Sequence, residues 1–332
     1  MSIIILSVSR LPLKIQLTVE HSTKMKTIVY SRKIEGISAI LLPFHENGRP
    51  DFDSFLSYVD QTYSTGLTPA INMDTGYVNL LTREQRLGIL DLMPDAANGR
   101  RFIAGAFIEG ETGDLVSHYY RETDAIQHHG GIPILFQSTA LTSLPDDKLV
   151  DVYRKVAAKC NSLIAFELGK MFAPFGAIYS LEVFQEIMQI PQIVGIKHSS
   201  LKRELEWQRL ELRDKLRPDF KIYTGNDLAI DMIMYGSDYL LGLSTFAPDY
   251  FAKRDEYWLK GDSRFYELND VLQYLGQFAF RSPTTAYKHS AAQFLKLRGW
   301  IESDEPHPNA SRRPESDIEI LQNILEQLET HI

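Results

Sequence analysis

The feature that most constrains the fold is an eightfold alternation of short apolar runs with longer segments of helical periodicity. The apolar runs have the length and the β-branched content of buried strands. They are Ile37–Leu42, Pro69–Met73, Phe102–Phe107, Ile132–Phe136, Leu163–Phe166, Ile193–Ile196, Lys221–Tyr223 and Tyr239–Leu243. The helical segments are Phe52–Ser64, Arg83–Ala97, Asp114–His128, Asp146–Lys159, Leu181–Met188, Leu201–Leu216, Asp227–Met234 and Pro248–Leu259. Strands that alternate with helices through short connections form parallel βα units, so the pattern predicts a (β/α)₈ TIM barrel.

The barrel accounts for only part of the 332 residues. We assign it to residues 34–261 and predict a C-terminal helical region in residues 262–332, a three-helix appendage on the barrel. The three helices are predicted over Phe265–Phe280, Thr285–Leu297 and Asp317–Leu328. Residues 1–33 form an N-terminal extension of uncertain structure, in which Met25 is an alternative start. A doubly wound sheet is disfavoured because Leu42-Pro-Phe44 lacks a glycine-rich nucleotide turn.

Composition excludes several kinds of partner. The net charge of −8 gives no support for nucleic acid or an anionic membrane surface as a partner. No run of about 18 apolar residues occurs, so we predict no transmembrane helix. Cys160 is the single cysteine, which rules out an intramolecular disulfide and fits a cytoplasmic protein. Without clustered Cys and His residues or a phosphate-binding loop, we predict neither a metal nor a cofactor.

Lys197 is the first candidate for chemistry, because it lies at the end of the sixth predicted strand. In a buried position its ammonium loses hydration, which lowers the pKa and increases the fraction of neutral amine. A neutral amine can attack a carbonyl carbon and form a Schiff base. The alternative is an ordinary lysine at a strand end, solvated or paired with a carboxylate. His198, next in the strand, is expected to face the other way and to pack beneath a helix.

Polar residues after other strands are further candidates. After the second strand, Asp74, Thr75 and Gly76 could form a turn whose amides and hydroxyl hold a substrate carboxylate, or they merely cap the next helix. Glu167 ends the fifth strand, where it could accept protons near Lys197 or pair with it and keep it charged. After the seventh strand, Asp227 or Asn226 is interpreted as a cap of the next helix.

In this order and spacing, the motifs resemble the dihydrodipicolinate synthase / N-acetylneuraminate lyase family of class I aldolases. The resemblance extends from about Ile34 to Pro314. Its elements are Ala39–Gly48, Asp51–Asp53, Thr75–Gly76, Leu81–Glu84, Phe102–Gly105, Ile193–Ser200, Thr224–Asp227 and Lys288–Gly299. The resemblance implies a TIM barrel with a C-terminal helical domain, assembled as a homo-oligomer (dimer or tetramer). It also implies metal-free chemistry on 2-keto acids through a lysine Schiff base.

Carried over by position, the resemblance assigns roles to individual residues. Lys197 becomes the Schiff-base lysine, and Thr75 with Gly76 the turn that holds the substrate carboxylate. Gly225 and Leu241 fall where the family lines its pocket.

Three positions depart from the family pattern. Asp74 stands in place of a threonine and Tyr77 in place of a glutamate, and both are candidate substrate contacts. Phe166 stands where the family usually carries a proton-relaying tyrosine, so Glu167 or Tyr77 would have to move protons instead.

These inferences predict a Schiff-base-forming lyase, aldolase or dehydratase. Its substrate would be a small 2-keto acid, pyruvate-like or derived from a sugar acid. Dihydrodipicolinate synthesis itself is not expected, because Phe166 lacks the hydroxyl of the family tyrosine. The alternative is a family member that has lost turnover and acts as a ligand-binding or regulatory protein.

Overall fold

The computed structural model describes residues 25–331, and the first 24 residues of the predicted N-terminal extension lie outside this range. Eight strands form a closed barrel in which each strand is parallel to its neighbours in chain order, and β8 closes on β1. The strands are β1 Gly36–Ala39, β2 Thr68–Ile71, β3 Ile103–Ala106, β4 Ile132–Leu135, β5 Leu163–Glu167, β6 Ile193–His198, β7 Lys221–Thr224 and β8 Asp238–Leu241. The predicted TIM barrel is therefore confirmed.

Helices surround the barrel and continue beyond it. Those of the barrel are α1 Phe52–Ser64, α2 Arg83–Asp91, α3 Met93–Ala97, α4 Leu115–His128, α5 Thr139–Thr142, α6 Asp146–Ala157, α7 Leu181–Met188, α8 Arg203–Leu216 and α9 Pro248–Lys260. The C-terminal helices are α10 Arg264–Ala279, α11 Tyr287–Leu297 and α12 Asp317–Glu329. In the part of the chain that the structure describes, no helix is long and apolar enough to cross a membrane.

Two predicted helices differ from the observed ones. The segment Arg83–Ala97 is divided at Leu92, and Pro94 lies in the first turn of the second piece, where its missing amide costs no hydrogen bond. The helix predicted for Asp227–Met234 was wrong, because only a 3₁₀ helix over Ile230–Tyr235 forms there. Asp227 does not cap it. Its carboxylate accepts a hydrogen bond from the amide of Leu243, in the turn after β8.

The hydrophobic core has an inner and an outer part. The inner cluster fills the barrel with side chains such as Ile37, Ile134, Ile164 and Leu240. The largest outer cluster joins the shell helices to the C-terminal region, since Leu272, Phe294 and Leu325 belong to it together with barrel residues. Burial of this shared apolar surface is the main force that holds the C-terminal helices against the barrel.

Candidate active site

Lys197 lies one residue before the end of β6, paired in register with Phe166 of β5 and Tyr223 of β7. Strand alternation directs Lys197 into the barrel, whereas Ile196 packs in the outer cluster. The ammonium nitrogen lies 4.8 Å from the centre of the Phe166 ring. Among residues 25–331 it has no hydrogen-bond or ion-pair partner, although the side chain is buried.

Burial lowers the pKa of Lys197 to about 8, and the negative charges of Asp227 and Asp74 only partly oppose this shift. With that pKa, roughly a tenth of the amine is neutral at pH 7. An ordinary lysine would hold a far smaller fraction in the neutral form. The predicted lowering of the pKa is thus present, and its cause is the predicted loss of hydration.

Lys197 faces a narrow cavity at the carboxyl-terminal mouth of the barrel. The cavity is small, and its volume of about 20 Å³ leaves room for roughly one water molecule. Its polar wall comes from three strand ends and one C-terminal helix: Asp74, Thr75, Lys197, Ser199, Asp227 and Tyr287. Its apolar wall includes Phe166 and Phe172, with the backbone of Gly225 and Gly242 exposed between the side chains. In the described residues no group of three or more His, Cys, Asp or Glu could hold a metal ion.

The turn after β2 presents its side chains differently from the prediction. Asp74–Gly76 form a short 3₁₀ helix that ends at Tyr77, whose φ is +61°. The amides of Gly76 and Tyr77 donate to the carbonyls of Met73 and Asp74, so neither amide is free to hold a substrate carboxylate. Gly76 instead packs against β1, where an added Cβ would lie 3.1 Å from the Ile40 carbonyl oxygen. Of the predicted carboxylate-binding groups, the Thr75 hydroxyl remains in the cavity wall.

Asp74 is neutralised by a residue that the sequence motifs did not single out for chemistry. Lys288 of α11 donates to Asp74 Oδ1 at 2.9 Å, and its side chain is 4% exposed. Tyr287 Oη donates to Asp74 Oδ2, also at 2.9 Å, and lies 2.9 Å from Thr75 Oγ1. Because the tyrosine proton points to Asp74, the threonine hydroxyl donates to the tyrosine oxygen. The negative charge expected beside the substrate carboxylate is therefore compensated.

Asp227 is a second cavity residue whose role differs from the prediction. Burial raises the pKa of its carboxyl group to about 6, while hydrogen bonding by the Leu243 amide and the charge of Lys197 oppose the rise. The amide of Leu243 donates to Asp227 Oδ1 at 2.7 Å. A buried carboxyl group with this pKa can change protonation near neutral pH.

Glu167 is not part of the cavity, which contradicts its predicted place beside Lys197. It follows Phe166 in β5, so alternation directs it outward beneath the helices. Arg209 of α8 donates to both of its oxygens, with Nε 2.7 Å from Oε2, and His198 Nδ1 lies 2.6 Å from Oε2. Burial opposes ionisation of Glu167, but Arg209 and His198 outweigh it and lower the pKa to about 2. The predicted packing of His198 beneath a helix is confirmed.

Two further predicted contacts also lie away from the cavity. The Tyr77 ring is fully buried and packs against Phe44 and His307, at centroid distances of 5.6 and 5.9 Å. Leu241 belongs to the outer hydrophobic cluster, and the next residue, Gly242, reaches the cavity in its place. The error at Leu241 arises because neighbouring residues at a strand end face opposite sides.

Two predicted residues lie beside the lysine. Phe166 and Gly225 are both in the cavity wall. A Cβ atom added to Gly225 would lie 2.7 Å from Lys197 Cε, so glycine leaves the space that the lysine side chain occupies.

Comparison with known proteins agrees with this architecture. Residues 43–304 match the family model described as "Protein of unknown function (DUF993)". The chain is 25% identical over 228 residues to the 4-hydroxy-tetrahydrodipicolinate synthase of Kosmotoga olearia, covering 68% of this chain and 75% of that protein. It is 27% identical over 190 residues to a Streptomyces coelicolor protein named probable 5-dehydro-4-deoxyglucarate dehydratase 2, covering 54% of this chain. It spans just over half of that dehydratase, 55% of its length.

Solved structures share the fold at low sequence identity. A pyruvate complex of an E. coli prophage protein of the dihydrodipicolinic acid synthase family has a TM-score of 0.78 at 17% identity, covering 89% of this chain and 98% of that one. The Thermotoga maritima dihydrodipicolinate synthase has a TM-score of 0.75 at 17% identity, covering 90% and 99% of the two chains. These similarities point to the dihydrodipicolinate synthase / N-acetylneuraminate lyase class of TIM-barrel aldolases, from which the chain diverges in sequence. The chain belongs to the family described as "Protein of unknown function (DUF993)".

Proposed function

We propose that this chain is a lyase, aldolase or dehydratase that forms a Schiff base between Lys197 and a small 2-keto acid. The observation that carries the proposal is a buried amine with a lowered pKa that faces a cavity and has no partner in the described residues. Desolvated lysines of this kind are the nucleophiles of carbonyl chemistry. The names of the synthase and dehydratase relatives support the same class of reaction.

The geometry suggests how the substrate would be held. A 2-keto acid would enter through the open mouth of the cavity, whose side chains would have to move apart to admit it. The Thr75 hydroxyl would then turn from Tyr287 to the carboxylate of the substrate. The neutral Lys197 amine would add to the keto carbon, and loss of water from the carbinolamine would leave a protonated imine. The positive charge of that imine would lie near Asp227 and Asp74, which already interact electrostatically with Lys197. Charge that develops during the reaction is thereby stabilised by groups already in place.

Trapping with borohydride tests this proposal. The protein is incubated with a panel of 2-keto acids, including pyruvate and 2-ketobutyrate, then reduced and analysed by peptide mass spectrometry. We expect a reduced keto-acid adduct on the peptide that contains Lys197, and none in Lys197→Met. Lys170→Ala, which removes an exposed lysine in the segment after β5, serves as the matched control and should still form the adduct. Failure of every keto acid to label the native protein would refute the proposal.

One observation favours a second candidate, a ligand-binding protein without turnover. Phe166 places an aromatic ring near the amine, and a phenyl ring has no proton to transfer. Such a protein would gain thermal stability with keto acids yet release no product. Product formation that disappears in Lys197→Ala would exclude it.

The proposal extends to assembly and location. A homo-oligomer, dimer or tetramer, is expected from the family resemblance, and the single cysteine fits the cytoplasm. Light scattering coupled to size-exclusion chromatography measures the assembly, and a monomeric mass at all concentrations would contradict it.

A further inference from the structure

A Schiff-base reaction needs a group that gives a proton to the departing oxygen and takes one from carbon. The groups expected for this role lie elsewhere, since Glu167 is held by Arg209 and the Tyr77 ring is buried against Phe44. Tyr287 lies in the cavity wall, and its hydroxyl forms two hydrogen bonds, one to Asp74 and one with Thr75. It is a tyrosine of the C-terminal region, not of the barrel.

We propose that Tyr287, carried to the barrel mouth by α11, is the proton-transferring residue of this site, with Asp74 and Lys288 as its positioning residues. The inference rests on the proposed function and deepens it. Its consequence is that the C-terminal helical region completes the active site.

The environment of Tyr287 restricts its hydroxyl to one place. Its ring stacks on Phe280 with centroids 4.2 Å apart and planes 15° apart, and 2% of the residue is exposed. A Cβ atom added to Gly242 would lie 3.3 Å from Tyr287 Oη and 3.2 Å from Thr75 Oγ1, so glycine leaves the hydroxyl pair uncovered. Lys288 holds the carboxylate that accepts the tyrosine proton. The tyrosine oxygen is thus held in place, and only its proton has to turn from Asp74 toward the substrate during the reaction.

The proton balance closes with these residues alone. The neutral Lys197 amine forms the bond to the keto carbon, and one proton moves from nitrogen to the former carbonyl oxygen. The Tyr287 hydroxyl then gives its proton to that oxygen, which leaves as water while the nitrogen lone pair forms the iminium bond. The resulting phenolate takes a proton from the adjacent carbon, which yields the neutral enamine and restores the phenol. No oxidant, reductant or further reactant is required.

Exchange of substrate protons for deuterium separates this step from Schiff-base formation. The native protein, Tyr287→Phe and Asp227→Asn are incubated with pyruvate or 2-ketobutyrate in D2O. NMR follows the loss of the C3 proton signals, and borohydride trapping is measured in parallel. We expect Tyr287→Phe to form the Lys197 adduct while its exchange rate falls by about 100-fold or more. Asp227→Asn should retain measurable exchange.

Folding and general structural effects are controlled separately. Phenylalanine preserves the stack on Phe280, and thermal melting verifies that Tyr287→Phe is folded. Tyr274→Phe, at a tyrosine of α10 that is 53% exposed, should exchange like the native protein. Asp74 raises the pKa of both Lys197 and Tyr287, so Asp74→Asn should move both limbs of the exchange pH profile to lower pH. A purely structural effect would lower the exchange rate at every pH without shifting the pH values at which the rate rises and falls.

The outcomes distinguish this inference from the proposed function. Native exchange in Tyr287→Phe, or loss of exchange confined to Asp227→Asn, would overturn the role of Tyr287 while leaving the Lys197 adduct in place. Absence of an adduct in the native protein would overturn the proposed function and this inference together.

Discussion

At the scale of single residues, the cavity holds a charge that the fold does not stabilise. Lys197 is buried and unpaired within residues 25–331, and burial lowers its pKa from the ordinary 10.5 to about 8. The folded protein therefore binds fewer protons than the unfolded chain between these two pH values. By linkage, this difference makes the folded state more stable as the pH rises through that interval.

Replacement of Lys197 by methionine should remove this pH dependence. We expect the free energy of unfolding of the native protein, relative to Lys197→Met, to rise by up to about 3 kcal/mol between pH 8 and pH 10.5. Below pH 8 the methionine variant should be the more stable, because it buries no ammonium. Urea unfolding at a series of pH values measures the difference, in which titrations shared by both proteins cancel. Parallel curves for the two proteins would contradict the buried-amine interpretation.

At the scale of elements, a buried ion pair ties the back of the active-site strands to the helix that follows them. Glu167 ends β5, His198 ends β6, and Arg209 belongs to α8. Arg209 and Glu167 are 1% and 0% exposed in their side chains, and Arg209 also donates to the Tyr179 carbonyl at 2.7 Å. This cluster holds β6 from behind, on the side opposite to the Lys197 amine.

Glu167→Gln should therefore lower the free energy of unfolding, while Lys197 should still form the Schiff base. Loss of the carboxylate charge leaves the Arg209 guanidinium buried without compensation, which costs about 3–5 kcal/mol of unfolding free energy. The double variant Glu167→Gln, Arg209→Met should recover part of that loss, since it also removes the unpaired guanidinium. Urea unfolding measures both, and the borohydride adduct should persist in Glu167→Gln under conditions where it remains folded. If Glu167→Gln were as stable as the native protein but formed no adduct, the result would instead support Glu167 as a group that acts on the substrate.

At the scale of the whole molecule, the C-terminal region extends the barrel core, and Arg313 joins the segments of that region to one another. Arg313, between α11 and α12, donates to the carbonyls of Ala279, Arg281 and Ser282 at 2.9, 2.6 and 3.1 Å. These carbonyls lie at the last residue of α10 and in the segment that leads from it to Tyr287. Arg313 therefore holds the segment that leads from α10 into α11.

Arg313→Met should loosen this connection. Each carbonyl left without a donor in a buried place costs about 1–3 kcal/mol, so we expect a lower melting temperature. If Tyr287 acts as proposed, deuterium exchange should fall more than adduct formation on Lys197, because α11 supplies the tyrosine and not the lysine. Arg312→Met is the matched control, since Arg312 pairs with Glu305 at the surface and 55% of its side chain is exposed. Equal losses of exchange and adduct in Arg313→Met would argue against a specific link through α11.

Local patterns were sufficient for the barrel and for its lysine. Strand and helix periodicity extends over a few residues, so the βα alternation and the place of Lys197 on β6 could be inferred from neighbouring residues. The direction of a side chain at a strand end was harder to infer. Glu167 and Leu241 were assigned to the cavity although each is adjacent to the residue that faces it. A shift of one residue reverses the face, and the sequence alone does not define the register so closely.

The amino-acid sequence by itself thus determined a parallel eight-stranded barrel with an amine inside its mouth. Tertiary structure alone decided which groups surround that amine. Thr75 and Tyr287 are separated by 212 positions, and the contact between their hydroxyls depends on how α11 packs over the closed barrel. Asp227, expected as a helix cap, lies in the cavity wall instead, because its carboxylate accepts a hydrogen bond from the amide of Leu243, in the turn after the next strand. Such contacts depend on the closure of the barrel and the packing of its shared core, which no short sequence motif encodes.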